Sequence, residues 1–139
     1  MKKIIALLLV CFSLISCRQE IQETDLSKIN GYWEIEKAEL PDGTEKKYSI
    51  NTTIDFFEIK GTKGFRKKVM PQLDGKYLIN DLSEKISITN KDGDFTLNYT
   101  TSYAKWDEEL LELSNDHMIL RNDQDIEYTY KRSQPFSVK

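Results

Sequence analysis

Residues 85–101 read KISITNKDGDFTLNYTT, two runs of alternating apolar and polar side chains on either side of Lys91-Asp92-Gly93. In the first run Ile86 and Ile88 oppose Lys85, Ser87 and Thr89; in the second Phe95, Leu97 and Tyr99 oppose Asp94, Thr96 and Asn98. A period of two belongs to a strand with one face buried and the other in water. Glycine accepts positive φ at no steric cost, so the intervening Asp-Gly is turn chemistry. A slip of one residue would expose the whole apolar set, so the register is firm.

The same grammar extends in both directions. YWEIEKAEL (32–40) runs into Pro41-Asp42-Gly43, TIDFFEIK (53–60) stops at Gly61, and FRKKVMP (65–71) leads through Leu73-Asp74-Gly75 into YLIN (77–80). EELLELS (108–114) meets Asn115 and Asp116, and HMILRN (117–122) is joined to IEYTYKR (126–132) by Asp123-Gln124-Asp125. No apolar pattern of helical period reaches helix length. Eight or nine short strands at a spacing of about 8–12 residues predict an all-β fold, an antiparallel up-and-down meander closing into a barrel, with a β-sandwich as the alternative.

The 139 residues allow one folded unit. Its first sixteen differ from the rest: Lys2 and Lys3 precede an apolar run, Ile4–Leu14, of secretory-signal length. That run is too short to span a bilayer, which takes about 20 apolar residues. Leu14-Ile15-Ser16-Cys17 resembles the lipobox of bacterial lipoproteins. The resemblance implies cleavage after Ser16 and acylation of Cys17. The expected organisation is a signal peptide at 1–16, a lipidated cysteine with polar linker at 17–28, a barrel domain at 29–133 and a C-terminal tail at 134–139. Within the linker, Asp25 to Ile29 can form a single helical turn capped by Asp25 or Thr24.

Cys11 leaves with the signal, and Cys17 is the only other cysteine, so no disulfide is available and packing alone must hold the domain. Loss of Lys2 and Lys3 changes 20 basic against 23 acidic residues to 18 against 23, a formal charge of about −5. Such a body is held at a membrane by the acyl chains on Cys17, not drawn there by charge. Arg18, in place of the aspartate that retains many lipoproteins at the inner membrane, points to the outer membrane, with the domain on its periplasmic or surface face.

Gly31-Tyr32-Trp33 is similar to the Gly-x-Trp motif that opens lipocalins, and Arg132 stands at the end of the last strand. The chain thus resembles the small lipocalin-like lipoproteins of Gram-negative envelopes. In that family the tryptophan closes one end of an eight-stranded barrel and the arginine lies across its indole. The resemblance implies a barrel-closing role for Gly31, Trp33 and Arg132. This sequence lacks the usual C-terminal helix, ending through Ser133-Gln134-Pro135-Phe136.

An eight-stranded barrel either fills with side chains or encloses one small ligand. The expected lining is Ile35, Phe56, Phe95, Leu97, Tyr99, Tyr128 and Tyr130, together with Ile86, Ile88, Leu111 and Leu113. It is apolar with interspersed hydroxyls, as a ligand pocket should be. Lys60, Lys63, Arg66, Lys67 and Lys68 cluster around Gly61 and Gly64. They read as a solvated hairpin tip, or as a contact for lipopolysaccharide, lipid headgroups or an acidic protein face. No aromatic-interleaved motif suggests nucleic acid.

His117 is the only histidine, which excludes multi-histidine metal sites and most triads, and no nucleophile elbow or phosphate loop occurs. The acidic groups Asp107-Glu108-Glu109 and Asp123-Asp125-Glu127 lack calcium-loop spacing. Neither enzyme activity nor a cofactor or metal is expected. The expectation is a lipid-anchored envelope protein that binds a small apolar or amphipathic ligand. Its alternative is a non-catalytic interaction subunit of an envelope assembly, with a filled barrel.

Overall fold

In the computed structural model, which describes residues 20–134, one 3₁₀ segment (Glu23–Ile29) precedes ten strands. These are β1 (Gly31–Glu39), β2 (Glu45–Lys47), β3 (Ile54–Lys60), β4 (Lys63–Pro71), β5 (Tyr77–Ile79), β6 (Glu84–Lys91), β7 (Asp94–Thr100), β8 (Lys105–Leu113), β9 (His117–Asn122) and β10 (Glu127–Arg132). The signal, Cys17, and the tail beyond Gln134 lie outside the described residues.

All strand pairings are antiparallel, in the order β10-β9-β8-β7-β6-β4-β3-β1, and β10 pairs with β1 to close the ring. The fold is therefore a closed up-and-down barrel of eight strands and not a sandwich. The three-residue strands β2 and β5 attach to β1 and β4 outside that ring, which brings the expected eight or nine strands to ten.

The hairpin of residues 84–100 has the alternation-based register, with Ile86 opposite Tyr99, Ile88 opposite Leu97 and Asn90 opposite Phe95. Its apolar members are all buried. Asp92 and Gly93 both have positive φ, 54° and 90°, matching the right-handed twist of the flanking strands. Two bulges modify the alternation elsewhere. In β1 the register shifts between Ile35 and Lys37, so Ala38 is the next residue to turn inward. In β8 it shifts between Leu110 and Glu112, leaving Leu111 as the extra residue. Buried positions in β8 are consequently Glu108, Leu110 and Leu113, and Leu110 replaces the expected Leu111.

One end of the barrel is sealed from within. The segment expected to be linker coils into the 3₁₀ turn, where the Asp25 carboxylate accepts the Gln22 N–H (2.9 Å) and pairs with Lys28 (2.9 Å). This turn delivers Leu26 and Ile29 into the core at 1 % and 0 % exposure, so the folded body takes in the end of the expected 17–28 linker. Trp33, also at 0 %, donates its indole N–H to Ile29 O at 2.7 Å.

Arg132 lies over that indole, its guanidinium carbon 3.8 Å from a ring centroid. It donates to Asn115 O (2.7 Å), Asn30 O (2.5 Å) and Lys28 O. The plug (Lys28 O), the entry to β1 (Asn30 O) and the β8–β9 turn (Asn115 O) are thereby tied to one side chain. Gly31 has φ +117°, and a Cβ there would come within 2.8 Å of Arg132 Nη1. The glycine of the Gly-x-Trp sequence is thus required both by backbone conformation and by the space the guanidinium occupies.

The Trp33 end also holds the β3–β4 and β6–β7 hairpins and the β8–β9 turn. Up-and-down order places the remaining connections at the opposite, open end.

Candidate functional site at the open end of the barrel

Strand alternation turns Arg66 and Lys68 of β4 toward the lumen, beside Asp55 of β3, which pairs directly with Lys68. Glu84 of β6, Tyr99 of β7, Trp106 and Glu108 of β8, and Tyr128 and Tyr130 of β10 face the same space. Below them the lumen is solid: Trp33, Phe57, Leu97, Met118 and Leu120 are each at 0 % exposure.

Arg66 is the hub of the upper lumen. Its Nε donates to Glu84 Oε2 at 2.7 Å and its Nη2 meets the same carboxylate, while Nη1 reaches Glu108 Oε1 at 3.3 Å. The guanidinium carbon stands 4.4 Å above the Tyr99 ring, and Trp106 stacks on that ring at 5.2 Å and 9°. Burial alone would lower the Arg66 pKa, but the acidic groups around it, Tyr99, Asp55, Tyr130 and Glu84, more than offset this and raise it above the ordinary arginine value. Burial pushes Tyr99 and Tyr130 well above the ordinary tyrosine range.

Lys68 extends from a side chain 48 % exposed to an Asp55 carboxylate that is 3 % exposed. Among the described residues, two buried side-chain atoms lack a hydrogen bond of good geometry, Asp55 Oδ1 and Tyr99 Oη. The former meets only the Lys68 ammonium in an ion pair, and the latter lies beside Glu108.

Burial raises the Glu108 pKa above its ordinary 4.5, against the opposing pull of Arg66. The folded state then holds this proton more tightly than the unfolded one. Its contribution to stability falls as pH rises from about 4.5 through the raised value. In urea titrations at pH 5 and pH 8, Glu108→Gln is expected to gain stability relative to the wild type at the higher pH. A relative gain by the wild type would mean that the carboxylate is stabilised in its charged form.

The expected lining is placed as follows. Phe95, Leu97, Tyr99 and Tyr130 are buried inside, and Ile35 and Tyr128 pack against the core from part-buried positions. Phe56 is a correction: Trp33 pairs with Asp55 and Gly31 with Phe57, so the odd-numbered residues of β3 face inward. Phe56 lies outside, with its ring 4.8 Å from Tyr32, which in turn stacks on Tyr77 at 3.9 Å. With Phe56 and Phe57 adjacent, alternation within the strand could not choose between them.

Arg66 is the second correction. It is 8 % exposed and belongs to the lumen, not to a surface partner patch. Of the other four basic residues, Lys60 and Lys63 are exposed at the closed-end hairpin, Lys67 lies along the outer wall with Nζ 5.6 Å from the Phe65 ring, and Lys68 reaches inward. The period-two pattern of β4 was the available signal for this split.

Among the described residues, every large exposed apolar side chain lies in the connections and strand ends at the open end. Ile50, Leu73, Leu82 and Tyr103 are the most exposed, at 82, 77, 78 and 96 %. Two of the cavities among the described residues lie on the outer wall. One, about 350 Å³, forms where Glu20 and Ile21 pass the β6–β7 hairpin. The other, about 290 Å³, lies among Thr96, Asp107, Glu109 and Arg121. Arg121 ties the surface acids there, pairing with Glu109 and lying 3.9 Å from Glu127. Among the described residues no three acidic, histidine or cysteine groups are arranged to hold a metal, and His117 is exposed at the start of β9.

A closed eight-stranded meander, with an arginine capping the tryptophan at its sealed end, defines a lipocalin-like barrel. The chain is similar to the crystal structure of a lipocalin-like protein from Bacteroides uniformis ATCC 8492, with TM-score 0.48 and 11 % identity over 76 % of this chain and 99 % of that one. It is also similar to an uncharacterized protein from Bacteroides eggerthii DSM 20697, with TM-score 0.46 and 13 % identity over 75 % and 98 % of the two chains. No protein-family model matches the chain, and no curated protein is detectably similar to it in sequence.

Proposed function

We propose that this protein is a non-catalytic, lipid-anchored component of a bacterial envelope that binds a small amphipathic molecule at the open end of its barrel. The carrying observation is the pairing of two features at that end: exposed apolar side chains, and beneath them a buried charged network in which the buried Asp55 carboxylate is met by a half-exposed Lys68. An amphipathic molecule has the two matching halves. Because the lower lumen is packed, its polar group belongs among Asp55, Arg66, Lys68, Glu108 and Tyr99, and its apolar part on the rim.

The anchor fits this orientation. Glu20 lies beside the closed-end β6–β7 hairpin, and the three residues from Cys17 span at most about 10 Å. The sealed end then faces the bilayer and the open end faces away from it. Fractionation of cells carrying Cys17→Ala is expected to release the protein from the membrane, and unchanged retention would refute the anchor. Native mass spectrometry of membrane-extracted protein is expected to reveal a recurring small adduct, and a consistently bare mass would overturn the binding reading.

A second reading, a filled barrel serving as an interaction subunit of an envelope assembly, is favoured by the solid lower lumen and by the exposed lysines at the closed-end hairpin. Bare protein that captures a defined envelope partner would support it.

A further inference from the structure

Resting on that reading of the open end, we propose that the group recognised there is a primary ammonium carried on an apolar tail, and that Lys68 occupies its place in the unliganded protein. Three carboxyl groups in the upper lumen, Asp55, Glu84 and Glu108, face two cations, Arg66 and Lys68, so acids outnumber bases there. Arg66 is engaged on both sides by Glu84 and Glu108. Asp55 is left with Lys68 alone, an ammonium that reaches from a half-exposed stem into a buried carboxylate.

The fit is incomplete. Asp55 Oδ1 meets the Lys68 ammonium without a hydrogen bond of good geometry, and Tyr99 Oη lies beside Glu108 without one. A ligand ammonium, free of a tether to β4, could align one of its three N–H groups on Asp55 Oδ1. An anionic head would face the Asp55 carboxylate with like charge, and an uncharged one would leave that carboxylate unpaired in a dry site once Lys68 moved. The part-buried Trp106 and Tyr128 rings favour a cation as well. Entry needs no preformed void, because the ligand head replaces a side-chain head of the same chemistry.

The same ammonium chemistry occurs on free alkylamines and on aminophospholipid headgroups. The full chain, reconstituted in phosphatidylcholine nanodiscs, would be titrated calorimetrically with hexylamine, hexanoate and hexanol. Separately it would be mixed with phosphatidylcholine vesicles with or without phosphatidylethanolamine.

Hexylamine is expected to bind one to one, at least about tenfold more tightly than hexanoate or hexanol. Lys68→Met is expected to tighten it a further tenfold or so, because the competing closed state is removed. Asp55→Asn should abolish the preference for the amine. Hexylamine binding without vesicle capture identifies a free amine, and phosphatidylethanolamine-dependent capture identifies a headgroup. Equal binding of the three hexyl probes overturns the ammonium assignment and leaves the open-end reading in place. No binding of any probe, by wild type and Lys68→Met alike, removes both.

Discussion

Replacing Arg66 with methionine is expected to destabilise the barrel by about 3–5 kcal/mol, the cost typical of removing one partner from a buried ion pair. Methionine matches much of the arginine stem, so the loss would be electrostatic and not a cavity effect. Glu84 and Glu108 would keep their burial but lose the cation between them, and Tyr99 would lose the guanidinium on its face. The control is the double variant Arg66→Met, Glu108→Leu, which removes the more deeply buried acid together with its partner. Apolar replacement of a buried ion pair is often neutral or stabilising, so the double variant should recover much of the loss. Chemical denaturation of the three proteins measures this. A single variant within about 0.5 kcal/mol of wild type, the range usual for surface changes, would show that Arg66 is solvated and that the lumen network does not exist as described.

The second large effect is at the sealed end. Trp33→Ala is expected to cost about 3–5 kcal/mol, as for other fully buried aromatic truncations. The indole fills the base of the lumen at 0 % exposure, satisfies Ile29 O and forms the surface on which Arg132 lies. With single domains stable by only about 5–15 kcal/mol, this variant would fall near the limit of folding. Trp33→Phe keeps most of the packing and leaves Ile29 O without its donor, so a smaller loss of about 1–3 kcal/mol is expected. Thermal unfolding of both distinguishes the contributions. Equal losses would mean that the hydrogen bond, and not the volume, governs closure.

Much of the architecture was legible along the chain because half-buried strands announce their faces locally. The hairpin about Asp92-Gly93 and the alternation of β10 needed only near neighbours to be read. Gly31, Trp33 and Arg132 could be paired from a family resemblance. The plug was less legible: Leu26 and Ile29 are spaced for one helical turn, but nothing in RQEIQETDLSKI says that a lumen awaits them. The bulge at Leu111 is similarly silent, since ELLEL offers three leucines to two inward positions.

The candidate site was the least legible part. Lys60 to Lys68 form one basic cluster along the chain, whereas strand alternation and ring closure distribute those side chains among a hairpin tip, the outer wall and the lumen.

Sequence alone determined the strands, their turns and the faces of the regularly alternating ones, because a period of two and a glycine at positive φ act within a few residues. Tertiary structure alone decided which charges meet. Arg66 finds Glu84 and Glu108 at separations of 18 and 42 residues. Those partnerships depend on the registers of strands around a closed ring, where each pairing is set by all the others and by the volume left inside.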